Sequence, residues 1–316
     1  IEKGLLRCPW HGYDYCPLTG RSAFGDSVPT FPVEVREDGV YVGIEPDRPH
    51  VRTVSDVMAE TLVNWGVRQV FGMVGHSNLG LADALRRQEQ AGRLSYIGIR
   101  HEGAAAFAAS AYGKLTGKPA ACLTITGPGA TNLLTGLWDA KVDRSPVIAL
   151  TGQVDTQVLG PGAFQEVDLA GAFGSVAAWS QPVLETSKHA ELMTLACKHA
   201  ILRRDVAHLI FPDEVQTLPA QDEAASGPEG RLSQTEISPP ADQLVHAVSL
   251  LGAATRPVII VGHGARFHMG AITTLAEQMN APVITTFKAK GQIPDDHPLA
   301  CGVLGRSGTP VASWFM

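Results

Sequence analysis

From Val51 onward the chain alternates between short apolar runs, several ending in glycine, and longer segments whose apolar residues recur at helical spacing. The run "VRQVFGMVG" is followed by "NLGLADALRR", and "LSYIGIR", "PAACLTITG" and "PVIALTG" each precede a helical or loop segment. This order predicts an α/β fold with a doubly wound parallel sheet over residues 51–220. Ahead of it, "VEVR" and "VYVGI" flank "EDG" and predict a β-hairpin, after which "EPDRPH" reads as a linker. The polar, Pro/Gly-rich stretch 221–240 predicts a second linker. Another α/β unit begins at about Ala241 with "QLVHAVSLLG", "PVIIVG", "ITTLAEQM" and "PVITTF". Two clear strands are too few to close a sheet, so residues 241–316 are expected to be part of a Rossmann-like domain.

Composition narrows the class. A 316-residue chain with 45% hydrophobic residues has room for two or more globular cores. Its net charge of -6 argues against nucleic acid as the main partner, and no apolar run approaches the roughly 20 residues that span a bilayer. Five cysteines over this length point to reduced thiols and a cytoplasmic location rather than a disulfide framework.

Candidate chemistry concentrates in the middle block. "IRHEGAAAFAASAYGKLTG" puts Glu102 where a strand gives way to an Ala-rich helix, and "ITGPGATNLLTGLWDA" and "GPGAFQEVDLAG" follow. A glutamate at a helix start is ordinarily a favourable charge beside the helix dipole. The turn Gly127-Pro128-Gly129 is by itself a tight strand-to-helix connection, and Phe164-Gln165 by itself a loop anchor.

Taken together and in this order, these motifs resemble the thiamine diphosphate enzymes of the acetolactate synthase and pyruvate oxidase group over about residues 51–316. The resemblance implies that Glu102 hydrogen-bonds N1′ of the cofactor's aminopyrimidine and works as acid and base there. It further implies that Pro128 packs on that ring with Gly75 and Asn132 nearby, and that Gln165 approaches the reacting centre. Gly75-His76-Ser77-Asn78 replaces the Gly-Gly of acetolactate synthases and is closer to pyruvate oxidases, which leaves the substrate open. The third block resembles the start of a central domain that binds FAD in several members, and "VGHGA" (261–265) is an incomplete phosphate-loop pattern. In the family, diphosphate and Mg²⁺ are held by a third domain bearing Gly-Asp-Gly, which does not occur in this sequence, and the active site forms between two subunits of a dimer or tetramer. The chain is therefore expected to be truncated at its carboxyl end.

The first block carries a separate signal. Within "RCPWHGYDYCPLTG" (7–20), Cys8 and His11 have the C-x-x-H spacing of one arm of a Rieske [2Fe-2S] site, and Pro9, Trp10 and Gly12 fill the loop as in Rieske ferredoxins and oxygenase components. The segment "VPTFPVEVREDGVYVGI" resembles their closing strands, so residues 1–46 are expected to be part of an all-β Rieske domain. The second arm, C-x-H, is absent from the seven residues before Cys8 and is expected upstream, so the chain is expected to be truncated at both ends. Cys16 is expected to be a packed free thiol.

Three functional readings follow. The first is a thiamine diphosphate enzyme that decarboxylates a 2-oxo acid such as pyruvate, passing the two-carbon unit to an acceptor or its electrons to an oxidant, with the iron-sulfur centre as electron partner. The second is a Rieske electron carrier docked on a non-catalytic platform. The third, a binding module, predicts loss of the glutamate, and Glu102 is present. This chain by itself, without the diphosphate-binding domain, is expected to be inactive.

Overall fold

The structure is a computed structural model that describes residues 4–8, 13–23, 27–43, 50–233 and 237–316. The chain divides into two compact units, Ile1–Leu232 and Ser233–Met316.

At the amino end, β1 (Leu6–Arg7) and β2 (Asp14–Tyr15) pair antiparallel, as do β3 (Val33–Arg36) and β4 (Gly39–Val42). The second pair is the hairpin that the alternation around "EDG" predicts. The loop after β1 is closed by the Cys8 N–H donating to the Tyr13 carbonyl (2.8 Å). Arg7 clamps it with a two-pronged bond to Asp14, both contacts 2.9 Å.

The main sheet has six parallel strands, β5 (Gln69–Gly72), β6 (Ser95–Gly98), β7 (Ala120–Thr124), β8 (Val147–Gln153), β9 (Trp179–Pro182) and β10 (Val206–Pro212). Their order across the sheet is β6-β5-β7-β8-β10-β9. Ahead of the first strand runs α1 (Val54–Asn64), and between the strands run α2 (Leu79–Gln90), α3 (Glu102–Thr116), α4 (Pro128–Thr131), α5 (Leu134–Val142), α6 (Leu169–Phe173) and α7 (His189–Arg203).

Strand alternation sorts the buried side chains into two cores, as a sheet covered on both faces requires. Ala121, Leu123, Ile148, Leu150, Leu209 and Phe211 face α1, α2 and α7, whereas Ala120, Cys122, Val147, Ala149 and Ile210 face α3, α5 and α6. The alanines of α3 have a packing cause. A Cβ on Gly136 of α5 would lie 2.6 Å from the Ala106 Cβ, so the two helices approach more closely than larger side chains allow.

Two of the strands, β9 and β10, go beyond the runs that the pattern singles out. β9 ("WSQP") is a polar edge strand, and the apolar run of β10 is interrupted by His208. The expected linker 221–240 is tied down in its first part. Glu223 accepts from the Ala190 N–H (2.7 Å) at the start of α7 and lies 2.8 Å from His189 Nδ1, while Arg52 donates to the Ala220 carbonyl (3.0 Å). Charge compensation at a helix start accounts for that anchoring.

The second unit has a three-stranded parallel sheet, β11 (Ile259–Val261), β12 (Val283–Thr285) and β13 (Ala300–Val303), in that order. It carries the helices α9 (Ala241–Ala253), α10 (Met269–Met279) and α11 (Pro310–Trp314); α8 (Asp213–Gln216) belongs to the first unit. The third strand, "ACGV", lies beyond the two that the sequence marks clearly.

His208 is fully buried. Its ring lies 2.9 Å from Thr151 Oγ1 and 2.8 Å from Ser180 Oγ and stacks on Phe173 with centroids 3.7 Å apart. Burial pushes its pKa from 6.5 down to about 3. The folded state therefore stays unprotonated where the unfolded chain takes up a proton, and this residue makes stability fall as pH drops from about 6.5 toward 3, by up to about 1.4 kcal/mol per pH unit. Urea unfolding between pH 4.5 and 6.5 is expected to show a pH slope that is shallower in His208→Gln by up to that amount. Equal slopes would contradict the assignment.

Candidate active site

The chain reverses its winding between β5 and β7. After β5 it enters α2, which packs on one face of the sheet, and after β7 it enters α4 and α5, which pack on the other. Such a switch point opens a crevice at the carboxyl ends of the two strands. The predicted motifs arrive there, with Gly75 after β5, Glu102 after β6 and Gly127 to Asn132 after β7.

Crowding dictates the local sequence. Gly127 has φ +64°, and a Cβ there would lie 2.5 Å from the Gln165 carbonyl oxygen. Only glycine meets both demands without strain. Pro128 follows as an exposed first residue of α4, where its fixed φ suits a helix start. Ile125 is held between two bare backbones, since a Cβ on Gly75 would approach it to 2.6 Å and one on Gly129 likewise. A Cβ on Gly129 would also stand in ordinary contact, 3.4 Å, with Glu102 Oε1, which places that oxygen beside the Gly129 backbone.

Glu102 is the first residue of α3 and half-buried. Asn132 Nδ2 donates to its Oε2 at 3.0 Å. His101, to which the sequence gives no role, caps the helix, its Nδ1 accepting from the Gly103 N–H (3.1 Å).

A hydroxyl network joins the three motif loops. The Thr126 N–H donates to Ser77 Oγ (2.9 Å), and the Thr126 hydroxyl is shared between Gln153 Oε1 (2.8 Å) and the Gln165 carbonyl (3.2 Å). Gln165 sits at φ +65°, a left-handed conformation costly for a residue with a side chain. Its neighbour Glu166 accepts from the backbone N–H groups of Gly160 (2.7 Å), Gly162 (3.0 Å) and Ala163 (2.8 Å). These bonds, led by that of Gly160, hold its carboxyl below the usual carboxylate range. Glu166, rather than Phe164, is thus the side chain that anchors this loop; Phe164 is 83% exposed. Beside Gly75, His76 is exposed and its Nε2 lies 3.9 Å from Asp213 Oδ2. Burial raises the pKa of that aspartate.

The structure thus brings Gly75 and Gly129 against Ile125, Glu102 against Asn132 and the Gly129 backbone, and Gln165 against Gly127. Sequence reasoning missed Ile125, Thr126, Ser77 as a hydrogen-bond hub, and Glu166. The "TITG" that opens the Gly-Pro-Gly turn was the available signal for the first two.

The other candidates lie apart in sequence. Cys8 closes the amino-terminal loop through its backbone, and His11 falls outside the described residues. Cys16 is free, with its pKa lowered by hydrogen bonds led by the Thr19 hydroxyl. Among the described residues no group of three or more His, Cys, Asp or Glu is placed to hold a metal ion, so the expected iron-sulfur site gains no support from them. In the second unit "VGHGA" runs from the end of β11 into a short turn, with His263 Nδ1 3.2 Å from the Lys288 carbonyl oxygen. No helix among the described residues is long and apolar enough to cross a membrane.

Comparison with known proteins agrees with this architecture. Residues 52–172 match the family model "Thiamine pyrophosphate enzyme, N-terminal TPP binding domain", and residues 244–316 match "Thiamine pyrophosphate enzyme, central domain". The chain belongs to the thiamine pyrophosphate-dependent enzymes. Among its relatives, the putative thiamine pyrophosphate-containing protein YdaP of Bacillus subtilis is 36% identical over 83% of this chain and 45% of its own length. Acetolactate synthase of Arthrospira platensis is 36% identical over 84% and 47%, and acetolactate synthase isozyme 1 large subunit of Escherichia coli 32% identical over 84% and 46%. The chain spans about half the length of these relatives.

The crowding at Gly127 is testable without a ligand. Gly127→Ala is expected to lower stability by about 1–3 kcal/mol, because it forces a left-handed conformation and a contact with Gln165. An unchanged urea midpoint would show that the loop does not depend on that contact.

Proposed function

We propose that the crevice at the carboxyl ends of β5 and β7 receives the aminopyrimidine of thiamine diphosphate, and that Glu102 is its acid and base. The observation that carries this reading is the Glu102 carboxylate, held by Asn132 through one oxygen and with the other beside the bare Gly129 backbone. Bare backbone at Gly75 and Gly129, the apolar Ile125 and one carboxylate suit a flat heteroaromatic ring with a protonatable edge nitrogen. When bound, the cofactor supplies the ring carbon that attacks a 2-oxo acid and stabilises the charge left on decarboxylation.

The protein's own residues do the rest. Glu102 holds and moves a proton at N1′ of the ring; Pro128 and Ile125 bound the crevice; Gln165, whose backbone carbonyl accepts from the Thr126 hydroxyl, is assigned the approach to the substrate. Relatives named acetolactate synthase favour a 2-oxo acid such as pyruvate as substrate, with carboligation to an acceptor, while the Gly-His-Ser-Asn loop favours oxidation as the alternative outcome. The diphosphate and Mg²⁺ are assigned to a further domain, and the complete site to two subunits of a cytoplasmic dimer or tetramer. FAD at the second unit rests on the resemblance of "VGHGA" (261–265) to a phosphate loop.

Changing Glu102 to Gln keeps the volume and removes the acid and base. In the full natural protein saturated with thiamine diphosphate and Mg²⁺, C2 proton exchange measured by NMR is expected to slow by roughly two to four orders of magnitude. Exchange at the wild-type rate would remove Glu102 from the chemistry.

A second reading concerns the first 46 residues, proposed as part of a Rieske [2Fe-2S] domain with Cys8 and His11 as one ligand arm and an electron donor or acceptor as partner. Its support is the sequence alone, the C-x-x-H spacing of Cys8 and His11 with Pro9, Trp10 and Gly12 between and beside them. After anaerobic reconstitution the 316-residue chain, offering two of four ligands, is expected to stay iron-free, whereas the full natural protein is expected to give a Rieske-type paramagnetic resonance signal on reduction. A stoichiometric cluster in the chain alone, or none in the full protein, would overturn the assignment.

A further inference from the structure

We infer that Asn132 is a positioning residue that decides which oxygen of Glu102 does the proton transfer. The inference rests on the cofactor reading of the site and goes beyond it, because the motif order alone places Asn132 against the cofactor.

A carboxylate at a helix start can turn about its last bond, and its two oxygens are chemically equivalent until something distinguishes them. Here a hydrogen bond does. Asn132 Nδ2 donates to Oε2 at 3.0 Å, while Oε1 has no hydrogen-bond partner among the described residues. On the Oε1 side stands the Gly129 backbone, a Cβ on which would be in ordinary contact at 3.4 Å. One oxygen is therefore tethered by Asn132 and the other left without a hydrogen bond, and both face the same Gly127–Asn132 turn.

The tether has a fixed origin. The Asn132 N–H donates to the Pro128 carbonyl (3.0 Å), which fixes its backbone at the end of α4. The Asn132 carbonyl oxygen would be only 3.3 Å from a Cβ on Gly103, so the first turn of α3 lies directly against it. His101 caps the same turn, its Nδ1 accepting from the Gly103 N–H. The turn after β7 and the start of α3 are thus registered twice, through backbone packing at Gly103 and through the side-chain bond. Oε1 is left as the oxygen that meets N1′, and loss of the tether lets the carboxylate rotate away from it. A misplacement of about 1 Å is enough to cost a proton-transfer step roughly a hundredfold.

The hydrogen bond is tested first in the chain without cofactor. One Nδ2 proton of Asn132 is expected to resonate downfield of a free amide and to move to the free-amide position in Glu102→Ala. An amide that starts at the free position, or does not move, overturns the inference.

The consequence is tested in the full natural protein with thiamine diphosphate and Mg²⁺. Asn132→Ala is expected to slow C2 exchange of the saturated complex roughly ten- to a hundredfold, with the cofactor Kd changed less than about threefold. Asn132→Asp, which keeps the shape but replaces the donor by a like charge, is expected to slow exchange more than Ala. A weaker Kd with unchanged exchange would make Asn132 a cofactor contact, and wild-type values of both would make it a surface residue; either result overturns the positioning role. Asn132→Ala at the wild-type rate beside a slow Glu102→Gln refutes only the tether, whereas Glu102→Gln at the wild-type rate refutes the cofactor reading itself.

Discussion

The site depends on backbone crowding at the end of β7. Three loops from distant parts of the chain meet within contact distance there, and the meeting is possible because residues 75, 127 and 129 carry no Cβ. A methyl group at any of them would lie 2.5–2.6 Å from a neighbouring heavy atom. At residue 127 the neighbour is the Gln165 backbone, and at 75 and 129 it is the side chain of Ile125, which directly follows the buried strand β7. The glycines therefore set the distance between Glu102, Ile125 and Gln165, and the polar network of Ser77, Thr126 and Gln153 then fixes their register.

The sheet supplies the other half of the constraint. Its winding reverses between β5 and β7, so the helices that follow leave on opposite faces and cannot fill the space between the strand ends. Parallel strands buried on both faces hold those ends in place, with Leu123, Ile148 and Leu150 packed into one core and Cys122, Val147 and Ala149 into the other. Chemistry is thus mounted on loops, and precision comes from the strands beneath them.

Much of this was legible in the residues. Alternating apolar runs and helical segments gave four of the six strands of the main sheet, and the order of the Glu102, Gly-Pro-Gly and Phe-Gln-Glu motifs led to the thiamine diphosphate family. What stayed hidden has physical causes. β9 is a polar edge strand without an apolar run, and His208 interrupts β10 because its ring is satisfied by Thr151 and Ser180, partners that spacing cannot reveal. The Asn132–Glu102 bond spans 30 residues, so no local pattern records it. Glu166 was read as part of a motif, whereas its carboxylate is occupied by three backbone N–H groups of its own loop. At the amino end the resemblance rests on a loop of which His11 lies outside the described residues, and the first unit's structure adds only the closure at Cys8.

A crystal structure of the full natural protein with thiamine diphosphate bound tests the central claim most directly. The account predicts the aminopyrimidine in the crevice between the ends of β5 and β7, with N1′ within about 2.6–3.2 Å of Glu102 Oε1 and Oε2 still bonded to Asn132. An aminopyrimidine bound elsewhere, or one whose N1′ meets a different group, would contradict it.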